Sequence, residues 1–224
     1  MRTLFFDLDG TLTHSHVGIV RCIEHALVVC GTEPPASSRL IQYVGPPLRE
    51  SFASLIGTSD EACVDRAMAA YRERFDTIGI FENVVCPGIP DALEALARAG
   101  FRLSVVTAKP TVYAKRILDH FRLDQLFESI NGPELSSRGY SKHSLIREAL
   151  TVTGTTPAAA TMIGDRAEDI LGAKSNSVGA VAVGWGYGTR AELEEAGPVV
   201  IVDSAPALVE HLGAVSEVVA SSSF

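Results

Sequence analysis

Four short apolar runs, rich in β-branched and aromatic residues, constrain the fold of this chain more than any other feature. They occupy residues 3–6, 102–106, 160–163 and 180–183, and stretches with helical spacing lie between them. Buried apolar strands that alternate with helices are typical of a parallel sheet with helices on both faces. The sequence therefore predicts an α/β fold with a doubly wound parallel sheet.

One interval, residues 15–85, contains no convincing strand. Its apolar residues recur every three or four positions, which predicts amphipathic helices: Val17, Val20, Ile23 and Leu27, then Val64, Met68, Tyr71 and Phe75. We expect residues 1–14 and 86–224 to form the α/β core, and residues 15–85 to form an inserted all-helical cap. Because open α/β sheets bind ligands at the carboxyl ends of their strands, a cap inserted there could exclude water from a site.

Length and composition narrow the possible partners. The chain has 224 residues, 46% of them hydrophobic, and a net charge of −8. It is long enough for a sizeable core, and its acidic balance argues against binding a nucleic-acid polymer. We find no secretory pattern and no apolar segment near the roughly 20 residues that cross a bilayer, so we expect a cytoplasmic protein without a membrane partner. The four cysteines lack CxxC spacing, which favours reduced, buried thiols over structural zinc.

Acidic residues follow two of the apolar runs. Asp7 and Asp9 come directly after the first run, and Gly10 permits a sharp turn there. Asp165 and Asp169 follow the third run. In a parallel sheet these strand ends meet at one edge, where like charges ~4 Å apart repel by about 4 kcal/mol at an effective dielectric of ~20. A divalent cation would relieve this repulsion, and carboxylate ligands suit magnesium.

Each acidic segment also has a purely structural interpretation. Asp-Gly is common in ordinary turns at strand ends, and aspartates are favoured at helix N-termini. Capping explains one aspartate well, but it does not explain the whole acidic set.

Two further segments could contact an anion. Thr107 ends the second run just before a helical stretch, where free backbone amides make an anion site. An ordinary capping threonine is the alternative. Lys142 opens the helical stretch 141–150, and a solvated surface lysine is the commoner fate of such a residue. Only the combination with the acidic segments favours a functional role for either residue.

These four segments resemble the four motifs of the haloacid dehalogenase superfamily, in order and spacing, over nearly the whole chain. Asp7-Leu8-Asp9-Gly10-Thr11 is similar to the first motif, Thr107 to the second, Lys142 to the third, and Gly164-Asp165 with Asp169 to the fourth. The helical insert resembles the cap of phosphoglycolate phosphatases. Residues 44–52 and the loop 184–188 resemble a subgroup described as phosphoglycolate phosphatases or 5'-nucleotidases. For that loop, a tight turn with an aromatic lid on the core is the interpretation we favour.

The resemblance implies a role for each residue. Asp7 would be the nucleophile that becomes an aspartyl phosphate, and Asp9 would protonate the leaving oxygen and then activate water. Mg²⁺ would be bound by Asp7, Asp165 and the backbone carbonyl of Asp9, with Asp169 orienting these ligands. The remaining contacts to the phosphate would come from Thr107, the backbone amide of Ala108, and Lys142.

Specificity stays open at this stage. In the cap, Arg49 could bind the rest of the substrate, because guanidinium grips a carboxylate or phosphate bidentately. The alternative is an exposed arginine paired with Glu50 or Asp65. The segment 13–16 departs from the family pattern, with His14 where an aspartate is common, and we expect its histidines to lie in a hinge rather than to bind metal. Phosphoglycolate, a nucleoside 5'-monophosphate or another small phosphorylated metabolite would fit as substrate.

Three rival functions remain. A phosphomutase of the same superfamily would keep both Asp7 and Asp9. A signalling module phosphorylated on aspartate would lack the helical cap, and an inactive scaffold would not need the intact acidic residues. We expect the protein to be a monomer or a homodimer.

Overall fold

The computed structural model describes residues 2–137 and 139–221, with side chains through Ala214. The chain divides into two compact units, one formed by Met1–Leu12 with Val85–Phe224 and the other by Thr13–Val84. The sequence interpretation assigned Thr13 and His14 to the core, whereas this division assigns them to the helical unit.

The first unit is built on a six-stranded sheet. Its strands are β1 (Thr3–Phe6), β4 (Arg102–Val106), β5 (Ser129–Asn131), β6 (Ala160–Gly164), β7 (Gly179–Val183) and β8 (Val200–Val202). They are arranged in the order β5-β4-β1-β6-β7-β8, and every neighbouring pair is parallel. Two further short strands, β2 (Thr13–His14) and β3 (Val84–Val85), pair with each other. Strand order reverses at β1, which is the place where doubly wound sheets bind ligands.

Six helices accompany this sheet: α5 (Ile89–Arg98), α6 (Thr111–His120), α7 (Lys142–Thr153), α8 (Ala167–Ser175), α9 (Arg190–Ala196) and α10 (Ala205–Ser221). Phe5 and Met162 of the sheet belong to one buried apolar cluster with Ile146 of α7 and Ile170 of α8. The alternate residues of β1, Leu4 and Phe6, are also fully buried. Both faces of the sheet are therefore covered, which confirms the predicted α/β class.

The four predicted runs correspond to β1, β4, β6 and β7, but the sequence analysis missed β5 and β8. Each of these two strands has three residues and lies at an edge of the sheet. The residues of β5 are all half-buried and two of them are polar, so no apolar run marks this strand.

The second unit contains α1 (His16–Val29), α2 (Ser37–Leu40), α3 (Leu48–Ile56) and α4 (Glu61–Thr77). Its core includes Tyr71, which stacks on Phe75 at 5.4 Å between ring centroids and meets the edge of Phe52 at 6.0 Å. The apolar face predicted for α1 is buried except at Val17, which is 40% exposed in the first turn.

An ion-pair network connects α4 to the segment that follows it. Arg74 donates to both carboxylate oxygens of Glu82, at 2.7 and 3.1 Å, and Arg21 of α1 donates to the same carboxylate at 2.7 Å. Glu82 thus ties α1, α4 and the end of the helical unit together.

The four cysteines are free thiols. Cys22 and Cys86 are buried as expected, whereas Cys30 and Cys63 are half-buried. Within residues 2–137 and 139–221, no helix combines the length and apolar content needed to cross a membrane.

Candidate active site

The loop that follows β1 carries the first two carboxylates. The backbone N–H of Asp7 donates to the Ile163 carbonyl of β6 at 2.9 Å, which continues the pairing of the two strands by one residue. Asp7 and Asp9 are both 8% exposed. Gly10 has a φ of +86°, and a Cβ at this position would overlap the Asp165 carboxylate. Only glycine therefore lets the chain turn here and approach Asp165 closely.

Asp165 lies just beyond β6 and is fully buried. One of its oxygens accepts the Thr11 hydroxyl at 3.0 Å, and the other accepts the Tyr187 N–H at 2.8 Å. A Cβ on Gly186 would overlap the Asp165 side chain, so the loop 184–188 wraps directly around this carboxylate. The indole of Trp185 fastens the loop by donating to the Thr11 carbonyl at 3.1 Å.

Lys142 is the first residue of α7, and its ammonium group lies among three acceptors. Its Nζ is 2.7 Å from Asp169 Oδ1, 3.0 Å from Asp7 Oδ1 and 3.2 Å from the Val106 carbonyl. The contact with the Val106 carbonyl is a hydrogen bond, and the contacts with the two carboxylates are ion pairs. The Lys142 side chain is only 7% exposed, which differs from the solvated surface lysine considered as the alternative.

Asp169 both caps a helix and contacts a charged group of the site. Its Oδ2 accepts the backbone N–H of Arg166 at 3.1 Å, which caps the start of α8, while its Oδ1 faces Lys142. Asp7, Asp165 and Asp169 each offer a carboxylate oxygen, and these three oxygens lie within 4.8 Å of one another. We call these three residues the acidic cluster.

Burial and mutual repulsion raise the pKa values of two members of the acidic cluster, Asp165 and Asp169. Burial, reinforced by the charges of Asp169 and Asp7, raises the pKa of Asp165 well above its ordinary value. Burial also raises the pKa of Asp169 to about 6, although the nearby Lys142 opposes this shift. For Lys142, burial alone would lower the pKa, but Asp169 and Asp7 together raise it. Lys142 therefore stays a cation beside Asp169, whose ionisation burial disfavours.

The loop after β4 supplies Thr107 and a second buried lysine. Thr107 is 1% exposed, and its hydroxyl accepts the Lys109 N–H at 3.2 Å. It stabilises the turn rather than capping α6, which begins only at Thr111. The ammonium group of Lys109 lies 2.8 Å from Asp9 Oδ2, and both side chains are nearly buried, at 6% and 10% exposure.

The charges of the site fit a divalent metal ion. Four carboxylates (Asp7, Asp9, Asp165 and Asp169) and two ammonium groups (Lys109 and Lys142) leave a net charge of −4 + 2 = −2 when all are ionised. One divalent cation neutralises this charge. An all-oxygen donor set of carboxylates suits a hard ion such as Mg²⁺.

The family model for haloacid dehalogenase-like hydrolases matches residues 4–183, a range that begins in β1 and ends with β7. The chain belongs to this family. The resemblance seen in the four sequence motifs is thereby confirmed.

Several known proteins align with most of the chain. A 5'-nucleotidase of Pseudomonas aeruginosa is 44% identical over 190 residues, which are 85% of this chain and 86% of the relative. The tyrosine-protein kinase PtkA of Mycobacterium tuberculosis is 36% identical over 202 residues, covering 90% of this chain and 68% of the relative. A crystal structure of a predicted phosphatase from Clostridium acetobutylicum superposes with a TM-score of 0.89 at 38% identity, covering 94% and 97% of the two chains.

Arg49 lies on α3 of the helical unit of this hydrolase. Its guanidinium group pairs with Asp65 of α4 at 2.7 Å and also with Glu61. Asp65 is one of the two partners considered in the structural alternative. A contact between Arg49 and substrate stays a prediction.

Sequence reasoning missed several residues that shape the site. Lys109 stands two positions after Thr107, but a single lysine is usually solvated, so only its burial against Asp9 marks it. Thr11 belongs to the first motif, yet its hydroxyl bond to Asp165 spans 154 positions of the chain. The close approach of Gly186 to Asp165 could have been suspected only from the glycine-rich pattern of the loop 184–188.

Proposed function

We propose that this chain is a magnesium-dependent phosphatase that hydrolyses a small phosphomonoester through an aspartyl phosphate on Asp7. The observation that carries the proposal is the buried Lys142 ammonium group, held between Asp7 and Asp169 beside the rest of the acidic cluster. A nucleophilic carboxylate repels a phosphate dianion, so a phosphatase of this kind needs positive charge at the point of attack. The family membership and the names of the 5'-nucleotidase and the predicted phosphatase support the same reaction class.

Each residue of the site then has a chemical task. Asp7, Asp165 and the backbone carbonyl of Asp9 would bind Mg²⁺, and Asp169 would orient Lys142. Bound Mg²⁺ would supply positive charge to the non-bridging oxygens of the phosphoryl group. Thr107 and the backbone amide of Ala108 would hold a phosphoryl oxygen at the end of β4.

The reaction would proceed in two displacements. In the first, a lone pair of the Asp7 carboxylate forms a bond to phosphorus, and the bond from phosphorus to the ester oxygen breaks. The electron pair stays on that oxygen, which takes a proton from Asp9. In the second, the Asp9 carboxylate takes a proton from water as the water oxygen bonds to phosphorus, and Asp7 leaves with its electron pair. The alcohol and inorganic phosphate are released, and both aspartates return to their starting states.

Two classes of substrate fit this proposal. The 5'-nucleotidase relative favours nucleoside 5'-monophosphates, whereas the likeness of the cap to that of phosphoglycolate phosphatases favours phosphoglycolate or a similar small ester. Both are alkyl phosphates whose leaving oxygen needs a proton, which is the task given to Asp9.

Phosphate release from a panel of phosphomonoesters tests the proposal. The panel should include phosphoglycolate, adenosine 5'-monophosphate and p-nitrophenyl phosphate, each with Mg²⁺ and with EDTA. We expect Mg²⁺-dependent release by the wild type, and no release by Asp7→Asn. The exposed Asp119→Asn serves as the matched control and should retain full activity.

Two outcomes would contradict the proposal. Activity that survives in Asp7→Asn would show that Asp7 is not the nucleophile. Turnover that requires a sugar bisphosphate activator and yields an isomeric sugar phosphate, rather than inorganic phosphate, would identify a phosphomutase instead.

A further inference from the structure

The site contains two buried lysines with separate partners. Lys142 lies against Asp7 and Asp169, on the side of the acidic cluster. Lys109 lies against Asp9, with its Nζ 2.8 Å from Oδ2. The family resemblance assigns a task to Lys142, but it leaves Lys109 without one.

The backbone that carries Lys109 is firmly held. Its own N–H donates to the Thr107 hydroxyl at 3.2 Å. Two positions later, Thr111 donates its N–H to the Pro133 carbonyl at 3.0 Å and its hydroxyl to the Gly132 carbonyl at 2.7 Å. These bonds tie the loop after β4 to the segment after β5, so the ammonium group extends from a fixed base.

Asp9 lies in the turn that ends at Gly10, where φ is +86°. Its nearly buried carboxylate lies 2.8 Å from the Lys109 ammonium group, so this ion pair constrains the direction in which the carboxylate points. Proton transfer requires the acid within about 2.6–3.2 Å of the reacting oxygen, and a misplacement of ~1 Å can lower a rate by about 10²-fold.

We propose that Lys109 is a positioning residue that holds the Asp9 carboxylate at the correct angle for proton transfer to the leaving oxygen and from the attacking water. This inference rests on the proposed function, because it presupposes that Asp9 is the acid and base. The two lysines then have different tasks. Lys142 serves the nucleophile and the phosphoryl group, and Lys109 serves the proton transfer.

The dependence of the rate on the leaving group distinguishes this role from general support of the fold. p-Nitrophenolate is a stable anion that leaves without being protonated. An alkoxide is a poor leaving group and needs a proton from the acid as it leaves. The first displacement determines kcat/KM, so a loss of Asp9 positioning lowers kcat/KM for alkyl phosphates and largely spares it for p-nitrophenyl phosphate. The second displacement is common to both esters, because both form the same phosphoenzyme. A loosened fold, weaker metal binding or a weaker grip on the phosphoryl group would slow both esters alike.

The experiment compares Lys109→Met and Lys109→Arg with the wild type, on p-nitrophenyl phosphate and on adenosine 5'-monophosphate or phosphoglycolate, whichever the wild type hydrolyses. We expect Lys109→Met to lower kcat/KM for the alkyl ester by about 10- to 100-fold, a fraction of the 10²–10⁴ that a positioned acid supplies. For p-nitrophenyl phosphate we expect a change below ~3-fold, because that leaving group needs no acid. Lys109→Arg, which keeps a cation near Asp9, should recover most of the lost rate.

Asp9→Asn is the positive control, because loss of the acid itself should slow the alkyl ester, relative to p-nitrophenyl phosphate, even more than Lys109→Met does. Lys109→Gln replaces the Met variant in the same comparison if the latter does not fold, as judged by its unfolding transition. Equal losses on both esters, no loss on either, or an Arg variant no better than Met would each overturn the inference.

The failure of this inference can be separated from failure of the proposed function. If Asp7→Asn retains activity on p-nitrophenyl phosphate, the proposed function fails whatever Lys109 does. If the activity depends on Asp7 but the Lys109 variants show no preference between esters, only the role of Lys109 is wrong.

Discussion

Replacing Asp165 with asparagine should abolish activity and yet stabilise the metal-free protein near neutral pH. The Asp165 carboxylate is fully buried, and its oxygen lies within 4.8 Å of oxygens of Asp7 and Asp169. At that distance each repulsion amounts to about 3.5 kcal/mol at an effective dielectric of ~20. The asparagine has nearly the same shape but no charge, so Asp165→Asn removes both repulsions.

Protonation of the Asp165 carboxyl limits how much stability Asp165→Asn can gain. The pKa of Asp165 is raised from 3.8, so at pH ~7.5 the penalty cannot exceed the cost of protonating the carboxyl, about 1.36 × 3.7, or about 5 kcal/mol. The amide must also replace a carboxylate that accepts from both Thr11 and Tyr187, which costs about 1–3 kcal/mol. The net stabilisation is then about 2 kcal/mol, with a ceiling of about 4 kcal/mol.

The sign of the effect should change with pH. A carboxyl whose folded pKa is raised stabilises the protein while it is protonated, and this contribution is lost as pH rises above the unfolded value. At pH ~5 the ceiling falls to about 1.36 × 1.2, or about 1.6 kcal/mol. The hydrogen-bond loss of about 1–3 kcal/mol then leaves a gain of about 0.6 kcal/mol at most, so the stabilisation by Asp165→Asn should disappear or reverse.

Urea unfolding in EDTA at the two pH values measures this directly. With a slope of about 2 kcal/mol per molar urea, the midpoint of Asp165→Asn should rise by about 1 M at pH ~7.5. The exposed Asp119→Asn should leave the midpoint unchanged. A midpoint of Asp165→Asn below that of the wild type at pH ~7.5 would refute the electrostatic account of the acidic cluster.

Three further predictions concern the metal, the loop 184–188 and the helical unit. Because protons compete with Mg²⁺ for carboxylates whose pKa is raised by burial, Mg²⁺ should raise the unfolding temperature more at pH ~7.5 than at pH ~5.5; an equal rise at both would contradict this. Gly186→Ala forces a Cβ into the Asp165 side chain, so it should lower the free energy of unfolding by about 1–3 kcal/mol and weaken Mg²⁺ binding in calorimetry. Its control, Gly213→Ala in α10, meets nothing within 4 Å and should be neutral or stabilising by up to about 1 kcal/mol. Arg74→Met removes both hydrogen bonds to Glu82 and should destabilise the helical unit by about 1–3 kcal/mol in urea unfolding; an unchanged midpoint would show that the pair contributes little.

The α/β class could be predicted because it depends on local patterns. Strands such as β1 and β6 are buried on both faces, so their residues are apolar without interruption and stand out in the sequence. The edge strands β5 and β8 are short and less buried, and no local pattern could separate them from loops. The helices of residues 15–85 could also be predicted, because one face of each long helix is buried and its apolar residues recur every three or four positions.

The types of residue in the candidate site could also be predicted, because they follow apolar strands whose ends meet at one edge of the sheet. Asp7 and Asp165 are neighbours because β1 and β6 pair in parallel with Phe6 opposite Ile163. Parallel strands place their carboxyl ends at one edge of the sheet, so the sequence alone was enough to expect a shared acidic site.

Only the tertiary structure decided which charged groups meet. The sequence contains four lysines and eleven aspartates, and nothing local indicates that Lys142 contacts Asp7 and Asp169 while Lys109 contacts Asp9. Such pairs join residues up to 135 positions apart (142 − 7), and a change of an ångström or two in the packing of a helix would exchange their partners. Hydrophobic pattern is a property of the chain and can be read locally, whereas an ion pair depends on distances that exist only once the sheet and its helices have packed.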